Sequence, residues 1–121
     1  MKRDESVFTI QGRMKSFGYA FEGLWSMLRS QHNAWVHCCA TVVVVVLGMT
    51  LQVSTVEWCL LVLAMAGVWS AEALNTAFEF LCDVVQPEFH PLVKKAKDVA
   101  AAAVLLASFG AAVVGGMVFL F

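Results

Sequence analysis

Two windows without any charged side chain constrain this chain more than any other feature of its sequence. Residues 30–56 and 99–121 contain no Lys, Arg, Asp or Glu. A helix needs about 20 consecutive apolar residues to cross the hydrocarbon core of a bilayer, and each window is long enough. A third apolar segment begins at Trp58 and continues to Ala71, where acidic residues follow. The sequence therefore predicts a membrane protein with three crossings.

Composition and length support the same class. Of 121 residues, 60% are hydrophobic and only 14% are charged, and the mean hydropathy is +0.77. These values exclude an ordinary water-soluble globular domain. We therefore expect one all-α membrane domain spanning residues 1–121.

The basic residues predict the orientation of the chain in the membrane. All of them precede the first crossing or lie between the second and the third: Lys2, Arg3, Arg13, Lys15, Arg29, Lys94, Lys95 and Lys97. The loop between the first and second crossings has none. Because Lys and Arg accumulate on the cytoplasmic side, we expect a multi-pass protein of the cell inner or plasma membrane, with its N-terminus in the cytoplasm. The N-terminal stretch has no uninterrupted apolar core, so no cleavable signal is expected.

Periodicity predicts a surface helix followed by the three crossings. Residues 7–30 carry apolar side chains at steps of three and four, which line one face of a helix: Met14, Phe17, Phe21, Leu24 and Leu28. Such a helix lies in the membrane interface. The alternative, a helix packed on a soluble core, is disfavoured because the chain offers no such core. The crossings are expected at residues 34–53, 58–85 and 92–121, the last two separated by the helix-breaking "QPEFHP".

The stretch "VWSAEALNTAFEFLCDVV", residues 68–85, places polar groups on one face of the second crossing. At 100° per residue, the polar side chains fall within an arc of about 100°: Glu72, Asn75, Thr76, Glu79 and Asp83. We call these five residues the polar stripe. Glu72 lies about 21 Å along the helix axis from Trp58, in a hydrocarbon core about 30 Å thick. The stripe is thus predicted to enter the bilayer from the basic side.

Three interpretations of the stripe are compatible with its spacing. A carboxylate in hydrocarbon costs about 2.5–3.5 kcal/mol on insertion scales, so the stripe requires an explanation. It could form helix–helix contacts, or Glu72 could be protonated and hydrogen-bonded. Alternatively, carboxylates facing a lysine-rich loop suit Mg²⁺ bound to nucleotide phosphates, and a further carboxylate could deprotonate a lipid hydroxyl.

The segment "AEALNTAFEFLCDVVQPEFHPLVKKAKDVAAAAVLLAS" closely resembles the small prokaryotic diacylglycerol kinase and undecaprenol kinase family. It matches the family pattern E-x-x-N-[ST]-A-x-E-x-x-x-D, followed by E-[YF]-H and A-K-D. The stretches "SFGYAFEGL" and "NAWVH" match as well, so the resemblance extends from residue 13 to about residue 115. It implies a homotrimer of three-helix protomers, each with an amphipathic surface helix, that transfers the γ-phosphoryl group of ATP to a lipid alcohol using Mg²⁺.

The resemblance also implies roles for individual residues. Glu72 matches the general base that takes the proton of the lipid hydroxyl, and Asn75 lies beside it to orient that hydroxyl or the phosphate. Glu79 matches a metal-binding carboxylate that also contacts ATP. The remaining expected ATP contacts are Arg13, Tyr19, Glu88, His90, Lys97 and Asp98. His32 and His37 are interpreted as headgroup or interhelical contacts.

One position departs from the family pattern. The family has a second metal-binding Glu ahead of the first crossing, in E-x-N-x-x-x-H, whereas this chain reads "QHNAWVH" with Gln31 at that position. A Gln carbonyl oxygen can ligate Mg²⁺ but lacks the negative charge that hard cations prefer. We therefore expect Gln31 to be a weaker metal ligand, unless Glu22 or Asp98 assists or the activity is altered.

Function is predicted as phosphorylation of a lipid alcohol, with two candidate acceptors. The segment "HPLVKKAKDVAAAAVLLAS" is nearer to the undecaprenol kinase branch, which favours undecaprenol over diacylglycerol. The chain has no G-x-x-x-x-G-K-[ST] sequence, so no P-loop holds the phosphates, and no nucleic-acid partner is expected. A non-enzymatic oligomer or pore is the alternative of another class, but "WCLLVLAMAGVW" carries no polar lining toward the outer side. A family member turned regulator is a third possibility, because of Gln31.

Overall fold

A computed structural model describes residues 8–121, which form four α-helices. They are α1 (Ile10–Ser30), α2 (His32–Thr50), α3 (Thr55–Val85) and α4 (Pro91–Leu120). By length and composition, α2, α3 and α4 could each cross a membrane. The prediction of an all-α chain with three membrane-length helices is confirmed. Residues 1–7, including Lys2 and Arg3 and the first residue of the expected surface helix, lie outside the described part.

Local capping sets where two of these helices begin. The Ser54 hydroxyl accepts from the Glu57 backbone N–H at 3.2 Å, and the Glu57 carboxylate accepts from the Ser54 N–H at 2.9 Å. This reciprocal capping box satisfies two N–H groups that a helix start leaves free, so α3 starts at Thr55 rather than at residue 58. Likewise, His90 Nδ1 accepts from the Leu92 N–H at 3.2 Å, and Pro91 occupies the first position of α4, where its fixed φ suits a helix.

A tight turn joins α2 to α3. Gln52 has φ 51°, in the left-handed region, and the Val53 N–H donates to the Gly48 carbonyl at 3.2 Å. This hydrogen bond belongs to a Schellman-type helix end, where glycine is the usual left-handed residue. The Trp58 ring packs directly on Gly48. A Cβ atom added at position 48 would lie only 2.5 Å from that ring. Glycine at position 48 therefore allows the turn to fold back closely.

Few side chains of the described residues are buried between the helices. The most extensive contact joins α3 and α4, and α1 rests on α2 and α3. Among residues 8–121, only six apolar side chains are buried: Met27, Ala34, Leu61, Val68, Cys82 and Val104. Most other large apolar side chains of the spans are exposed. Because water would not solvate this surface, it requires lipid or another protein chain around it.

Candidate functional site

The buried polar side chains of the structure all belong to the polar stripe on α3. Glu72 is 0% exposed, Thr76 3% and Asn75 8%, and the described residues contain no other buried polar or charged side chain. The Thr76 hydroxyl donates to the Glu72 backbone carbonyl at 2.9 Å, so Thr76 is satisfied by its own helix. Glu72 and Asn75 are not satisfied in this way.

The Glu72 carboxylate is enclosed beside a histidine of α2. Neither Oε1 nor Oε2 of Glu72 has a hydrogen-bond partner within residues 8–121. His37 Nε2 lies 3.3 Å from Glu72 Oε2 and is likewise buried without a well-formed hydrogen bond. The pair is thus within ion-pair distance but outside good hydrogen-bond geometry.

A short network fixes the backbone and ring of His37. The Thr41 hydroxyl donates to the His37 carbonyl at 2.7 Å. The Thr41 hydroxyl oxygen in turn accepts a hydrogen bond from the Trp69 indole N–H at 3.0 Å. The His37 and Trp69 rings also meet edge to face, with centroids 6.2 Å apart. Trp69 precedes Glu72 on α3, so this network joins α2 to the part of α3 that carries the carboxylate.

A cavity of about 240 Å³ opens beside His37. It lies between α2, α3 and α4, and its polar lining comes from Asn33, His37, Asn75 and Ser108. Asn75 Oδ1 is buried without a hydrogen-bond partner in the described chain. The cavity therefore presents an unsatisfied acceptor close to the enclosed carboxylate, which is an arrangement suited to binding a hydroxyl donor.

A larger apolar groove of about 400 Å³ runs from the same place along the spans. It shares Val36, His37 and Ser108 with the smaller cavity and extends to Gly116 and Phe119 near the end of α4. The two spaces thus meet at His37, and the smaller one has more polar side chains in its lining than the larger one.

Two turns further along α3, Glu79 meets the position where the family pattern has a second Glu. Gln31 Nε2 donates to Glu79 Oε2 at 2.9 Å, across the junction between α1 and α2. A half-turn of the Gln31 amide would bring its carbonyl oxygen to the same side, since the two amide orientations are nearly equal in shape. The structure therefore brings together the two residues expected to bind metal.

The last residue of the stripe is exposed and paired with α4. Asp83 Oδ1 lies 3.2 Å from Lys97 Nζ. On α4 itself, Lys94 Nζ lies 2.8 Å from Asp98 Oδ2. Two residues expected to contact ATP, Lys97 and Asp98, are thus held in exposed ion pairs.

The expected ATP residues lie in two separate places. Glu88, His90 and Lys97 line one cavity of about 200 Å³ at the turn between α3 and α4. Arg13, whose guanidinium lies 5.4 Å from the centroid of the Phe8 ring, and Tyr19 are on α1 instead. Within the described residues, α1 makes no contact with α4. In the described part of the chain, the helix that carries Arg13 and Tyr19 is thus separate from the helix that carries Lys97 and Asp98.

His37 is the residue whose position the sequence did not predict. An interhelical contact was expected, but not one with Glu72. The helical rise gives only a partial signal, because His37 and Glu72 lie about four and about five turns from the α2–α3 turn and so differ by about one turn in depth. Choosing the facing side of α2 requires the tertiary packing.

Comparison with known proteins identifies the family. Residues 18–119 match the model of the prokaryotic diacylglycerol kinase family. Over 106 residues the chain is 37% identical to undecaprenol kinase of Bacillus subtilis, covering 88% of this chain and 86% of that protein. It is 38% identical over 106 residues to diacylglycerol kinase of Synechocystis, covering 87% of this chain but 61% of that protein. Diacylglycerol kinase of Escherichia coli K12 is 32% identical over 94 residues, 78% of this chain and 77% of that protein. The chain therefore belongs to the prokaryotic diacylglycerol kinase family.

Proposed function

We propose that this lipid kinase transfers the γ-phosphoryl group of ATP to undecaprenol at the cytoplasmic face of the membrane. Membership of the family makes it a lipid kinase, and the choice of acceptor is our proposal. Similarity to the Bacillus subtilis undecaprenol kinase over most of both chains supports undecaprenol. Diacylglycerol is the second candidate, supported by the similarity to the Synechocystis diacylglycerol kinase.

The observation that carries the proposal is the fully enclosed Glu72 carboxylate beside the unsatisfied Asn75 amide oxygen. We assign Glu72 as the general base that removes the proton of the lipid hydroxyl. We assign Asn75 the task of orienting that hydroxyl through Oδ1. A base inside the hydrocarbon edge suits a substrate whose hydroxyl is attached to a lipid chain, because the acceptor arrives from the membrane.

Magnesium belongs to the proposal through Glu79 and Gln31. Mg²⁺ prefers oxygen ligands and is commonly held by one or two carboxylates together with substrate phosphates. Glu79 and Gln31 fit this pattern, since they already contact each other. The described residues contain no group of three or more metal-binding acidic, His or Cys side chains, so the nucleotide phosphates would complete the ligand set. Such an ion neutralises the charge on the transferred phosphoryl group.

We propose that ATP binds between protomers of a homotrimer. One protomer would contribute Arg13 and Tyr19 of α1 to the ATP site. A neighbouring protomer would contribute the cavity lined by Glu88, His90 and Lys97. This assignment is supported by the absence of contact between α1 and α4 within residues 8–121. The large exposed apolar surface of the spans is compatible with such an assembly.

The orientation in the membrane is also proposed. Lys97 lies at the end of α3 that carries Asp83, since the two side chains pair, and Lys94 and Lys95 precede it at the start of α4. By the positive-inside rule this end faces the cytoplasm, where ATP is available. In this arrangement α1 lies in the cytoplasmic interface, with apolar side chains such as Phe17 and Phe21 toward lipid. The protein is thus proposed to reside in the inner or plasma membrane.

A direct phosphorylation assay tests the function. The purified protein in detergent would receive Mg²⁺, γ-labelled ATP and either undecaprenol or diacylglycerol at matched mole fractions. We expect label in the lipid phase with both, and a kcat/KM for undecaprenol at least about tenfold higher, equivalent to about 1.4 kcal/mol. A preference for diacylglycerol would overturn the assignment of the acceptor. Labelling of neither lipid would contradict the kinase function.

A further inference from the structure

We propose that His37 is a positioning residue for Glu72. In this arrangement, the His37 Nε2–H donates to Glu72 Oε2, holds the carboxylate ionised, and leaves Oε1 to receive the proton of the lipid hydroxyl. The inference rests on the proposed function, because it assigns a task within the same reaction. It adds a residue on α2 to a site otherwise built from α3.

The geometry of the two side chains is the first support. His37 Nε2 and Glu72 Oε2 are 3.3 Å apart, and His37 is the only basic side chain within ion-pair distance of Glu72 among residues 8–121. The Glu72 carboxylate and the His37 Nε2 atom are both buried, and neither has another hydrogen-bond partner in the described chain. A small rotation of the ring or the carboxylate would close the bond. Catalytic hydrogen bonds are often long before substrate binds and shorten in the complex.

The anchoring of His37 is the second support. The Thr41 hydroxyl donates to the His37 carbonyl, and the Trp69 indole N–H donates to the Thr41 hydroxyl. The His37 and Trp69 rings also pack edge to face. None of these contacts uses His37 Nε2, which is therefore aimed at Glu72 without a competing acceptor. Trp69 and Glu72 lie on the same helix, so movement of α3 carries the anchor and the carboxylate together.

Burial gives the physical reason for the pair. An ionised carboxylate without any exposed surface is strongly destabilised unless a donor or a cation compensates it. Glu72 must nevertheless be ionised to accept a proton. One N–H donor at Oε2 supplies this compensation while occupying only one of the two oxygens. Asn75 does not supply this donor, because neither Glu72 oxygen accepts a hydrogen bond from any residue of the described chain.

The reaction step that this arrangement serves can be written with its atoms in balance. The lipid O–H bond breaks and its proton forms a bond to Glu72 Oε1. The electron pair of the lipid oxygen forms the new bond to the γ-phosphorus of ATP. The bond from that phosphorus to the bridging oxygen breaks, and its electron pair leaves with ADP. His37 keeps its Nε2 proton throughout, so its contribution is to hold Glu72 ready rather than to exchange a proton with substrate.

The test compares two substitutions that differ in the donor they leave. His37→Gln retains an N–H donor of similar reach, whereas His37→Leu removes it. We expect His37→Leu to lower kcat about 10- to 100-fold, with the KM for ATP within about twofold, because general-base catalysis contributes roughly 10²–10⁴-fold in total. His37→Gln should keep kcat within about tenfold of the parent protein and clearly above His37→Leu.

Matched variants of His32 serve as the control. His32 is an exposed histidine at the start of the same helix, and His32→Leu and His32→Gln should both leave kcat near the parent value. Equal losses for His37→Leu and His37→Gln would overturn the proposal, because a purely structural role does not depend on the donor. A His37→Leu variant with parental kcat would overturn it too.

Two further observations keep the outcome decisive. Infrared difference spectra between the parent protein and Glu72→Gln should show Glu72 as a carboxylate, and a protonated acid would contradict the inference even if His37→Leu fails to fold. If the parent protein labels neither lipid, the proposed function fails. If the parent is active and the His37 variants do not separate, only the role of His37 fails.

Discussion

Glu72 and Glu79 are carboxylates of the same helix face, two turns apart, in opposite surroundings. Glu72 is fully enclosed, has no hydrogen-bond partner within residues 8–121, and faces His37. Glu79 is half-buried and accepts a 2.9 Å hydrogen bond from Gln31. Seven residues of helix place them about 10 Å apart along the axis. The stripe therefore passes from an enclosed end to an open end.

Because of this difference, one helix face can perform two chemical tasks. An enclosed carboxylate experiences a low effective dielectric, where charge interactions are strong and water does not compete. A carboxylate at the open end can reach a hydrated cation and nucleotide phosphates. On this account, Glu72 acts on the lipid hydroxyl and Glu79 binds the metal of the nucleotide. The predictions below separate the two ends, beginning with the largest effect.

Replacing the enclosed carboxylate should cause the greatest loss. Glu72→Gln keeps size and shape but cannot accept a proton, so kcat should fall by about 10²–10⁴-fold. The unfolding temperature in detergent should stay equal or rise, because a neutral amide avoids the cost of burying a carboxylate whose proposed compensation is a single N–H donor. Steady-state kinetics and thermal unfolding of the same preparation measure both. Near-normal kcat would remove Glu72 from the role of base.

Replacing Asn75, the amide beside Glu72, should cause a smaller loss of kcat. As for Glu72, the loss of activity should not be accompanied by a loss of stability. Asn75→Leu removes an acceptor that has no partner in the described structure, so the folded state should not be weakened by a lost hydrogen bond. We expect kcat to fall about tenfold, since the hydroxyl loses a positioning contact. A drop in unfolding temperature together with parental kcat would indicate a structural role instead.

At the open end, the charge at position 31 should alter the Mg²⁺ requirement and leave the chemical step unchanged. Gln31→Glu supplies a second carboxylate beside Glu79. Two unit charges about 4 Å apart in water interact by about 1 kcal/mol, so one added carboxylate charge beside a divalent ion should tighten half-saturation by Mg²⁺ by at least roughly fivefold. Activity measured across Mg²⁺ concentrations at saturating ATP tests this. An unchanged requirement would show that position 31 is not a metal ligand.

The exposed end of the stripe should matter least. Asp83→Asn breaks the surface pair with Lys97, and such exposed pairs contribute about 0.2–1 kcal/mol. We therefore expect kcat within about twofold of the parent and a small decrease in unfolding temperature, which higher salt should mask. A large loss of kcat would contradict the assignment of Asp83 to a structural contact.

Much of the fold could be predicted because a bilayer restricts the choices. Backbone groups in hydrocarbon must be paired within a helix, so charge-free windows became α2 and α4 despite the valine-rich sequence of α2. The single-faced stripe on α3 followed from helical periodicity alone. The family motifs then predicted its chemistry. Helix ends were less predictable, because the capping box of Ser54 and the left-handed Gln52 depend on local hydrogen bonds.

The contacts between helices could not be predicted in the same way. Periodicity tells which residues share a face of one helix, but it does not tell which face of α2 meets α3. For this reason the position of His37 against Glu72 and the Thr41–Trp69 hydrogen bond emerged only from the structure. The family motifs led us to expect Gln31 and Glu79 as metal ligands, and the structure shows that the two side chains contact each other.

The most direct test compares how the activities of the Glu72→Gln and Glu79→Gln variants depend on Mg²⁺. It asks whether the enclosed end of the stripe provides the base and the open end the metal ligand. Both variants would be assayed for phosphorylation of undecaprenol by γ-labelled ATP, from limiting to saturating Mg²⁺, with the parent protein alongside. We predict that raising Mg²⁺ restores a substantial part of the activity of Glu79→Gln and none of that of Glu72→Gln. Recovery of Glu72→Gln, or an identical Mg²⁺ response of the two variants, would contradict the assignment of base and metal ligand to opposite ends of the stripe.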